Sequence, residues 1–244
     1  MRECKHWPLR AASATVALWA SGLCRAGSPP AVRVVPPTFI ARYSIAWHGI
    51  TAGTATLTLV RTAAHTYQYR SVDRADGLFS LFFRHAITQE SRFRLVDGRV
   101  QPLSFRSEGG GPAEAVRFEW RRGRVVGTAK HQRLDLKLEP GTQDPGSVQI
   151  ALMLAFERGH PPSSFWLLNT NVINRFAFVR RGAATLATPM GRLPTVLYTS
   201  HHAKARRTTY MWLAPSLDYL PARLEQRRGD GTLYALTIRS FKRT

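Results

Sequence analysis

The stretch GTQDPGSVQIALMLAFERGHPP, residues 141–162, predicts one apolar helix with chemically defined ends. Asp144 suits the N-cap, because its carboxylate can accept hydrogen bonds from the first free amides of a helix. Pro145 then occupies the first helical position, where its missing N–H costs nothing. At the other end Gly159 supplies a left-handed stop, and the two prolines that follow prevent continuation. Apolar side chains surround the helix on all sides, so we predict that it is buried.

The residues around this helix have the pattern of β-strands. In TFIARYSIAWH, residues 38–48, apolar and polar side chains alternate with a period of two. Similar segments recur with turn signals about every 8–12 residues, as in a barrel or large sandwich. We therefore predict an all-β class, β-rich with one main helix. Its curved antiparallel sheet or barrel has roughly a dozen strands, and the helix packs in its concavity or mouth.

Two local segments are less regular. GITAG, residues 49–53, is predicted to be a turn, and Gly49, Gly53 and Gly191 are interpreted as turn glycines. DGLFSLFF, residues 76–83, interrupts the alternation and is predicted to form a short helical turn or a flap.

Two interpretations of the buried helix are open. It completes the hydrophobic core, or it covers a cavity for an acyl chain or similar ligand, because such ligands bind in mostly apolar pockets. For the second interpretation we name five candidate ligand-binding residues. Val148, Leu152 and Phe156 lie on the helix, and Tyr210 and Trp212 lie on a predicted strand, facing the interior.

The amino terminus predicts export. Residues 1–26 combine a short basic start, an apolar run and small residues before Ala26, which is the order of a signal peptide cleaved near Ala26. Residues 27–37 are predicted to be a flexible Pro-rich segment, and residues 38–244 a single β-rich domain. Cleavage removes both cysteines, Cys4 and Cys24. Export by this signal predicts that the protein lies in the periplasm.

The chain is strongly basic, with a formal charge of +20. Residues 1–26 hold four basic residues and one acidic residue, so the remainder keeps +17. Such a field favours anionic partners, although an arginine-rich composition that only covers a solvated surface explains the same count. Nucleic acid is not expected, because no recognition-helix, zinc-finger or RNP pattern is present.

Candidate chemistry is sparse. Capping explains Asp144 and Ser147, and no histidine can be placed with them as a catalytic group. Adjacent residues in a strand point to opposite faces, so His201 and His202 cannot chelate one ion, and neither a metal nor a cofactor is predicted. An enzyme acting on cell-wall glycan stays open, because its two acids can be distant in sequence.

Several residues in a fixed order resemble a bacterial envelope family, domain of unknown function 3108. They are Tyr43, Trp47-His48-Gly49-Ile50, Ala52-Gly53, Asp97-Gly98, Pro102, Phe105, Gln143-Asp144, Ser147, Thr188-Pro189, Gly191, Trp212 and Tyr219-Leu220-Pro221. The resemblance covers about residues 39–240. It implies an exported β-rich protein and supplies no catalytic residues. Within it we single out as structural motif Trp47, Gly49, Gly53, Asp144, Ser147, Gly191 and Pro221.

Two functions are weighed above the glycan enzyme. The first is a non-enzymatic periplasmic protein that binds an apolar or amphiphilic envelope component such as lipid. The alternative is an envelope interaction or assembly factor whose basic face docks on an anionic surface polymer or a protein partner. The second function predicts binding that weakens steeply with salt, because salt screens exposed charges.

Overall fold

A computed structural model describes residues 35–77, 79–82, 85–203, 206–229 and 231–244. The described residues belong to one compact unit, Arg33–Thr244. The predicted signal peptide, and the predicted Pro-rich segment up to residue 34, lie outside the described residues.

The described residues contain fourteen strands and two α-helices. The strands are β1 (Phe39–Trp47), β2 (Ile50–Ala63), β3 (Thr66–Ala75), β4 (Ile87–Val96), β5 (Arg99–Glu108), β6 (Glu114–Glu119), β7 (Arg124–Ala129), β8 (Gln132–Lys137), β9 (Ser164–Asn169), β10 (Val172–Thr188), β11 (Gly191–His201), β12 (Arg207–Ala214), β13 (Leu220–Arg228) and β14 (Gly231–Arg243). The helices are α1 (Phe79–Phe82) and α2 (Ser147–Glu157).

All fourteen strands form one curved antiparallel sheet. Their order is β8-β7-β6-β5-β4-β3-β2-β1-β14-β13-β12-β11-β10-β9. Chain neighbours are therefore sheet neighbours except β8 and β9, and the one pairing between strands distant in the chain joins β14 to β1. Among the described residues the sheet does not close, and β8 and β9 are its edge strands. The prediction of an all-β fold with a curved antiparallel sheet around one main helix is confirmed.

Helix α2 is buried because both of its sides face the sheet. Ile150, Met153 and Leu154 pack with the apolar residues of β1–β5, β13 and β14. Leu152 and Phe156, on the other side, pack with β10–β12. Full burial of one such side chain contributes about 2 kcal/mol. The all-round apolar pattern thus corresponds to a helix enclosed by two arms of the same sheet.

The two ends of the sheet approach each other through side chains and one connecting segment. Leu168 of β9 packs among buried residues of β5–β8. The backbone of Gln143 bonds to β9, donating to the Trp166 carbonyl and accepting from the Leu168 N–H, at 2.9 Å each. Its side-chain amide donates to the Val100 carbonyl of β5 at 3.1 Å. Gln143 therefore links the edge strand β9 to β5, although these two strands are not neighbours in the sheet.

Three local predictions are corrected by the structure. β9 was not predicted, because SFWLLN follows two prolines and lacks clean alternation. β10 is a single strand with a bulge at Arg181, next to Gly182, whereas the pattern suggested two separate strands. Gly53 is not a turn residue, because β2 begins at Ile50 and Gly53 pairs with Ile45 and Ala75 inside the sheet. The segment at 76–83, predicted to be a short helical turn or a flap, contains the short helix α1.

The other residues of the proposed structural motif occupy defined places. His48 and Gly49 both have positive φ in the two-residue β1–β2 turn, as a type I′ hairpin requires, and the Trp47 ring contacts the His48 ring. Gly191 has a φ of +100° at the β10–β11 turn. The carbonyl of Pro221 in β13 accepts a 2.9 Å hydrogen bond from the buried Tyr43 hydroxyl of β1.

None of the helices in the described part of the chain combines the length and the apolar character needed to cross a membrane.

Candidate ligand-binding cavity

The amino-terminal end of α2 is held by a buried polar network around Asp144. Its carboxylate accepts hydrogen bonds from the N–H groups of Gly146 (2.8 Å) and Ser147 (2.9 Å), and from the Ser91 hydroxyl of β4 (2.8 Å). The Ser147 hydroxyl oxygen in turn accepts from the Asp144 N–H at 2.9 Å. Regular helix begins at Ser147, but Val148 already donates to the Asp144 carbonyl, so helical hydrogen bonding starts at Asp144. This network ties the helix to β4.

Burial sets the ionisation of Asp144. The side chain has no solvent exposure, and this burial raises its pKa to about 6, although the hydrogen bonds from Ser147, Ser91 and Gly146 oppose the shift. Gly146 lies so close to the sheet that an added Cβ would meet the Ser91 Cβ at 2.7 Å and the Tyr69 ring at 2.8 Å. The helix start is therefore packed tightly against β3 and β4.

A cavity of about 710 Å³ lies between α2 and the sheet. Pro145, Val148, Gln149 and Leu152 of the α2 region form one side. Exposed Asn169, Arg207 and Arg228, which lie at strand ends, also line it, so the cavity opens there. We call this end of the sheet the mouth end. It carries the β1–β2, β3–β4, β5–β6, β7–β8, β9–β10, β11–β12 and β13–β14 connections, since alternate connections of an antiparallel sheet share an end.

The wall formed by β11–β14 is layered from apolar to cationic toward the mouth end. Strand partners Met211, Leu224 and Leu236 form an apolar layer nearest α2. The next layer is polar and consists of Ser200, Thr209, Gln226 and Tyr234, which are again partners across adjacent strands. Arg207 and Arg228 lie directly opposite each other in the outermost layer.

The facing wall adds a polar cluster. Tyr69, Ser71 and Asp73 of β3 all line the cavity, and the Ser71 hydroxyl donates to the Asp73 carboxylate at 2.8 Å. Burial raises the pKa of Asp73, which this hydrogen bond partly opposes. Burial also raises the pKa of Tyr69 and of Tyr234, with a further contribution from the Asp73 charge. Both phenols therefore stay neutral and can donate or accept hydrogen bonds.

Two features of the lining lack partners among the described residues. The buried side-chain nitrogen of Gln149 has no hydrogen-bond acceptor there. Arg206, Arg207 and Arg228 are exposed near the mouth, and none of the ion pairs formed within the described residues involves them. The cavity thus offers one buried donor and a group of cations.

Of the five predicted ligand-binding residues, the structure brings Val148 and Leu152 to the cavity. Phe156 lies instead in an aromatic cluster, with its ring centre 5.0 Å from those of Tyr198 and Tyr219. It joins the end of α2 to the sheet.

Tyr210 and Trp212 do not line the cavity. Their neighbours Thr209 and Met211 do, so strand alternation turns Tyr210 and Trp212 to the opposite face of β12. There the Arg227 guanidinium lies 4.3 Å from the Tyr210 ring centre and pairs with the buried Glu225. The alternation was recognised in the sequence, but which face is concave was assigned incorrectly.

Sequence reasoning missed the layered wall. The available signal was the shared order apolar, polar, arginine at every second position, in Met211, Thr209, Arg207 and in Leu224, Gln226, Arg228. Only the β12–β13 register shows that the two series lie side by side.

Acidic and metal-binding groups are sparse in the described lining. Asp73 is the only acidic residue among the described residues that line the cavity, whereas glycosidases of the usual kind need two carboxyl groups. Asp144 is occupied with the helix start. The described part of the chain contains no cluster of three or more His, Cys, Asp or Glu side chains suited to a metal ion.

A family model described as a protein of unknown function, DUF3108, matches residues 42–238. The chain belongs to this family. The match includes all fourteen strands, apart from the first residues of β1 and the last residues of β14. It also includes α2 and the whole cavity lining. No curated protein matches this DUF3108 protein.

Two solved structures match this DUF3108 protein. A crystal structure of a β-barrel-like protein of DUF1849 from Brucella abortus matches with a TM-score of 0.55 and 16% identity, covering 86% of this chain and 99% of that chain. A candidate exported protein with a YmcC-like fold from Bacteroides fragilis matches with a TM-score of 0.37 and 11% identity, covering 86% and 97%. The first similarity supports a β-barrel-like fold.

Proposed function

We propose that this DUF3108 protein is exported to the periplasm and binds one amphiphilic molecule of the cell envelope, such as a lipid. The apolar part lies over α2, and an anionic head group lies at the mouth. The observation that carries the proposal is the layered wall. Along the paired strands an apolar layer, a polar layer and a cationic layer follow one another toward the mouth end.

Size and lining support an amphiphile. Ligand cavities typically measure about 300–1,000 Å³ and are mostly apolar with a few placed polar groups. The cavity of about 710 Å³ falls in that range, and Leu57, Leu152, Met211, Leu224 and Leu236 supply its apolar floor. An acyl chain placed there would leave water for an apolar surface, which is favourable in proportion to the area covered.

The charges at the mouth support an anionic head group. Arg207 and Arg228 are directly opposed strand partners, and like charges in that position destabilise a sheet. A phosphate or carboxylate between them would relieve the repulsion, and guanidinium groups match the geometry of both anions. The partnerless Gln149 nitrogen supports a hydrogen-bond acceptor, such as an ester carbonyl, deeper in the ligand.

The test uses palmitate and hexadecyltrimethylammonium, which share an alkyl chain and differ in head-group charge. After delipidation, the protein is expected to bind palmitate about tenfold more tightly than the cation, the equivalent of about 1.4 kcal/mol. The double variant Arg207→Gln/Arg228→Gln should lose this preference while still binding the alkyl chain. The variant Arg42→Gln/Arg70→Gln removes the same charge from exposed positions and should behave as wild type. Calorimetry or displacement of a fluorescent fatty acid measures each affinity.

Equal affinity for the two probes in the wild-type protein would contradict the anionic head group. Absence of binding to both would contradict the ligand-binding function. In that case docking on an anionic surface polymer remains, and it predicts binding of a polyanion that falls steeply between low and physiological salt.

Export has its own test. The sequence of residues 1–26 supports it, with a basic start, an apolar run and small residues before Ala26. Expression in a Gram-negative host should yield a periplasmic protein whose first residue is Gly27, as read by mass spectrometry of the intact chain. A cytoplasmic chain that retains residues 1–26 would contradict export.

A further inference from the structure

We propose that the mouth end of the sheet docks on an anionic lipid bilayer and inserts the tips of its connections between the head groups. This inference concerns how the protein meets a membrane, and it does not require the cavity to be occupied.

The first observation is a one-sided distribution of exposed apolar side chains. Trp47 (50% exposed) and Ile50 (64%) lie on the β1–β2 hairpin, and Leu81 (66%) and Phe82 (80%) lie on α1 in the β3–β4 connection. Val172 is exposed at the start of β10, beside the β9–β10 turn. All three connections belong to the mouth end. At the opposite end the exposed large apolar residues of the described chain are only valines: Val35, Val60 and Val96.

The second observation is the charge at the same end. Exposed Arg206, Arg207 and Arg228 border the mouth and form no ion pair among the described residues. Basic residues beside an anionic membrane are attracted to it, and apolar side chains that reach the head-group region add binding through their buried area. Tryptophan in particular favours the boundary between head groups and acyl chains. Apolar tips next to arginines are complementary to an anionic bilayer.

The arrangement of the apolar residues favours a bilayer over a protein partner. They are distributed over three separate connections around an opening, with exposed glycine and polar residues such as His48 and Gly49 beside them. A protein interface needs a contiguous, closely packed core, whereas a fluid bilayer accommodates separate tips at different heights. Docking in this orientation also places the cavity mouth against the lipid surface.

The test is flotation of the purified, processed protein with vesicles of phosphatidylethanolamine and phosphatidylglycerol, compared with vesicles of phosphatidylcholine alone. Wild type is expected to float with the anionic vesicles. The variants Trp47→Ser/Ile50→Ser and Leu81→Ser/Phe82→Ser should each lower the partition coefficient about tenfold, because each removes two inserted apolar side chains. The matched variant Val60→Ser/Val96→Ser alters two exposed apolar residues at the opposite end and should partition as wild type.

Four outcomes would overturn the inference, three of them in the vesicle assay. In the first, both mouth-end variants partition onto vesicles as wild type does. In the second, the opposite-end variant loses as much vesicle binding as they do. In the third, salt abolishes vesicle binding but the apolar substitutions do not change it. Crosslinking of the mouth end to a protein, without vesicle binding, would overturn it as well. Palmitate binding by the mouth-end variants should equal that of wild type. A failure of bilayer docking is therefore distinguishable from a failure of ligand binding.

Discussion

Replacement of Asp144 with alanine is expected to lower the free energy of unfolding by about 3 kcal/mol at neutral pH. The change removes the acceptor for the N–H groups of Gly146 and Ser147 and for the Ser91 hydroxyl, all of them buried. Each buried donor left without a partner costs about 1–3 kcal/mol, and the lost helix cap adds to this. Asp144→Asn keeps an acceptor oxygen at the helix start and should retain most of the stability.

The pH dependence of this effect has a defined sign. Burial raises the folded-state pKa of Asp144 to about 6, above its ordinary value of 3.8. Between about pH 4 and pH 6 the folded protein holds a proton that the unfolded chain has released. The part of the stability that comes from protonation of Asp144 is therefore fully present at low pH and is lost as the pH rises through about 6, whereas the part that comes from its hydrogen bonds as an acceptor remains at neutral pH. The deficit of Asp144→Ala or Asp144→Asn relative to wild type should grow as the pH is lowered, by on the order of 2–3 kcal/mol in total.

Urea denaturation of the three proteins between about pH 4 and pH 8 measures this difference directly. Asp76→Ala removes an exposed carboxylate and serves as the control, with little expected change. A deficit that shrinks on acidification would show that Asp144 has a lowered folded-state pKa, and would contradict the role of burial.

Replacement of Gly53 with alanine is expected to destabilise the protein by about 3 kcal/mol for a steric reason. Gly53 lies inside β2, where an added Cβ would lie 2.0 Å from the Arg74 carbonyl oxygen of β3. Because that atom belongs to the backbone, the β2–β3 pairing itself would have to shift. Overpacking of this kind typically costs about 1–3 kcal/mol, and more where the backbone must move.

Gly49, four residues earlier, provides the matched comparison. Its Cβ position is open, but its φ of +83° disfavours most side chains. Gly49→Ala should cost about 1 kcal/mol, and Gly49→Asn less, because asparagine tolerates positive φ. Asparagine should give no such relief at Gly53. Thermal and urea unfolding of the four variants measures these effects, and a mild Gly53→Ala would contradict the close approach of β2 and β3.

The two glycines show which structural roles can be predicted from neighbouring residues and which cannot. Gly49 follows His48 between two alternating segments, so its turn role was evident from neighbouring residues. Gly53 has the same chemistry, but the reason for it lies in the carbonyl of residue 74, on the next strand. The same division holds for the cavity. Val148 and Leu152 were named because they lie on a helix that had to be buried, whereas the faces of β12 were assigned the wrong way round.

The sequence by itself determined that the chain is β-rich with one enclosed helix, and where that helix begins and ends. Capping, turn formation and side-chain alternation depend on residues a few positions apart, so they can be predicted from the sequence alone. The tertiary structure alone decided that β14 pairs with β1, that Gln143 joins β9 to β5, and that Met211, Thr209 and Arg207 lie level with Leu224, Gln226 and Arg228. These are contacts between distant segments, set by strand register and sheet curvature, and no short window of sequence specifies either.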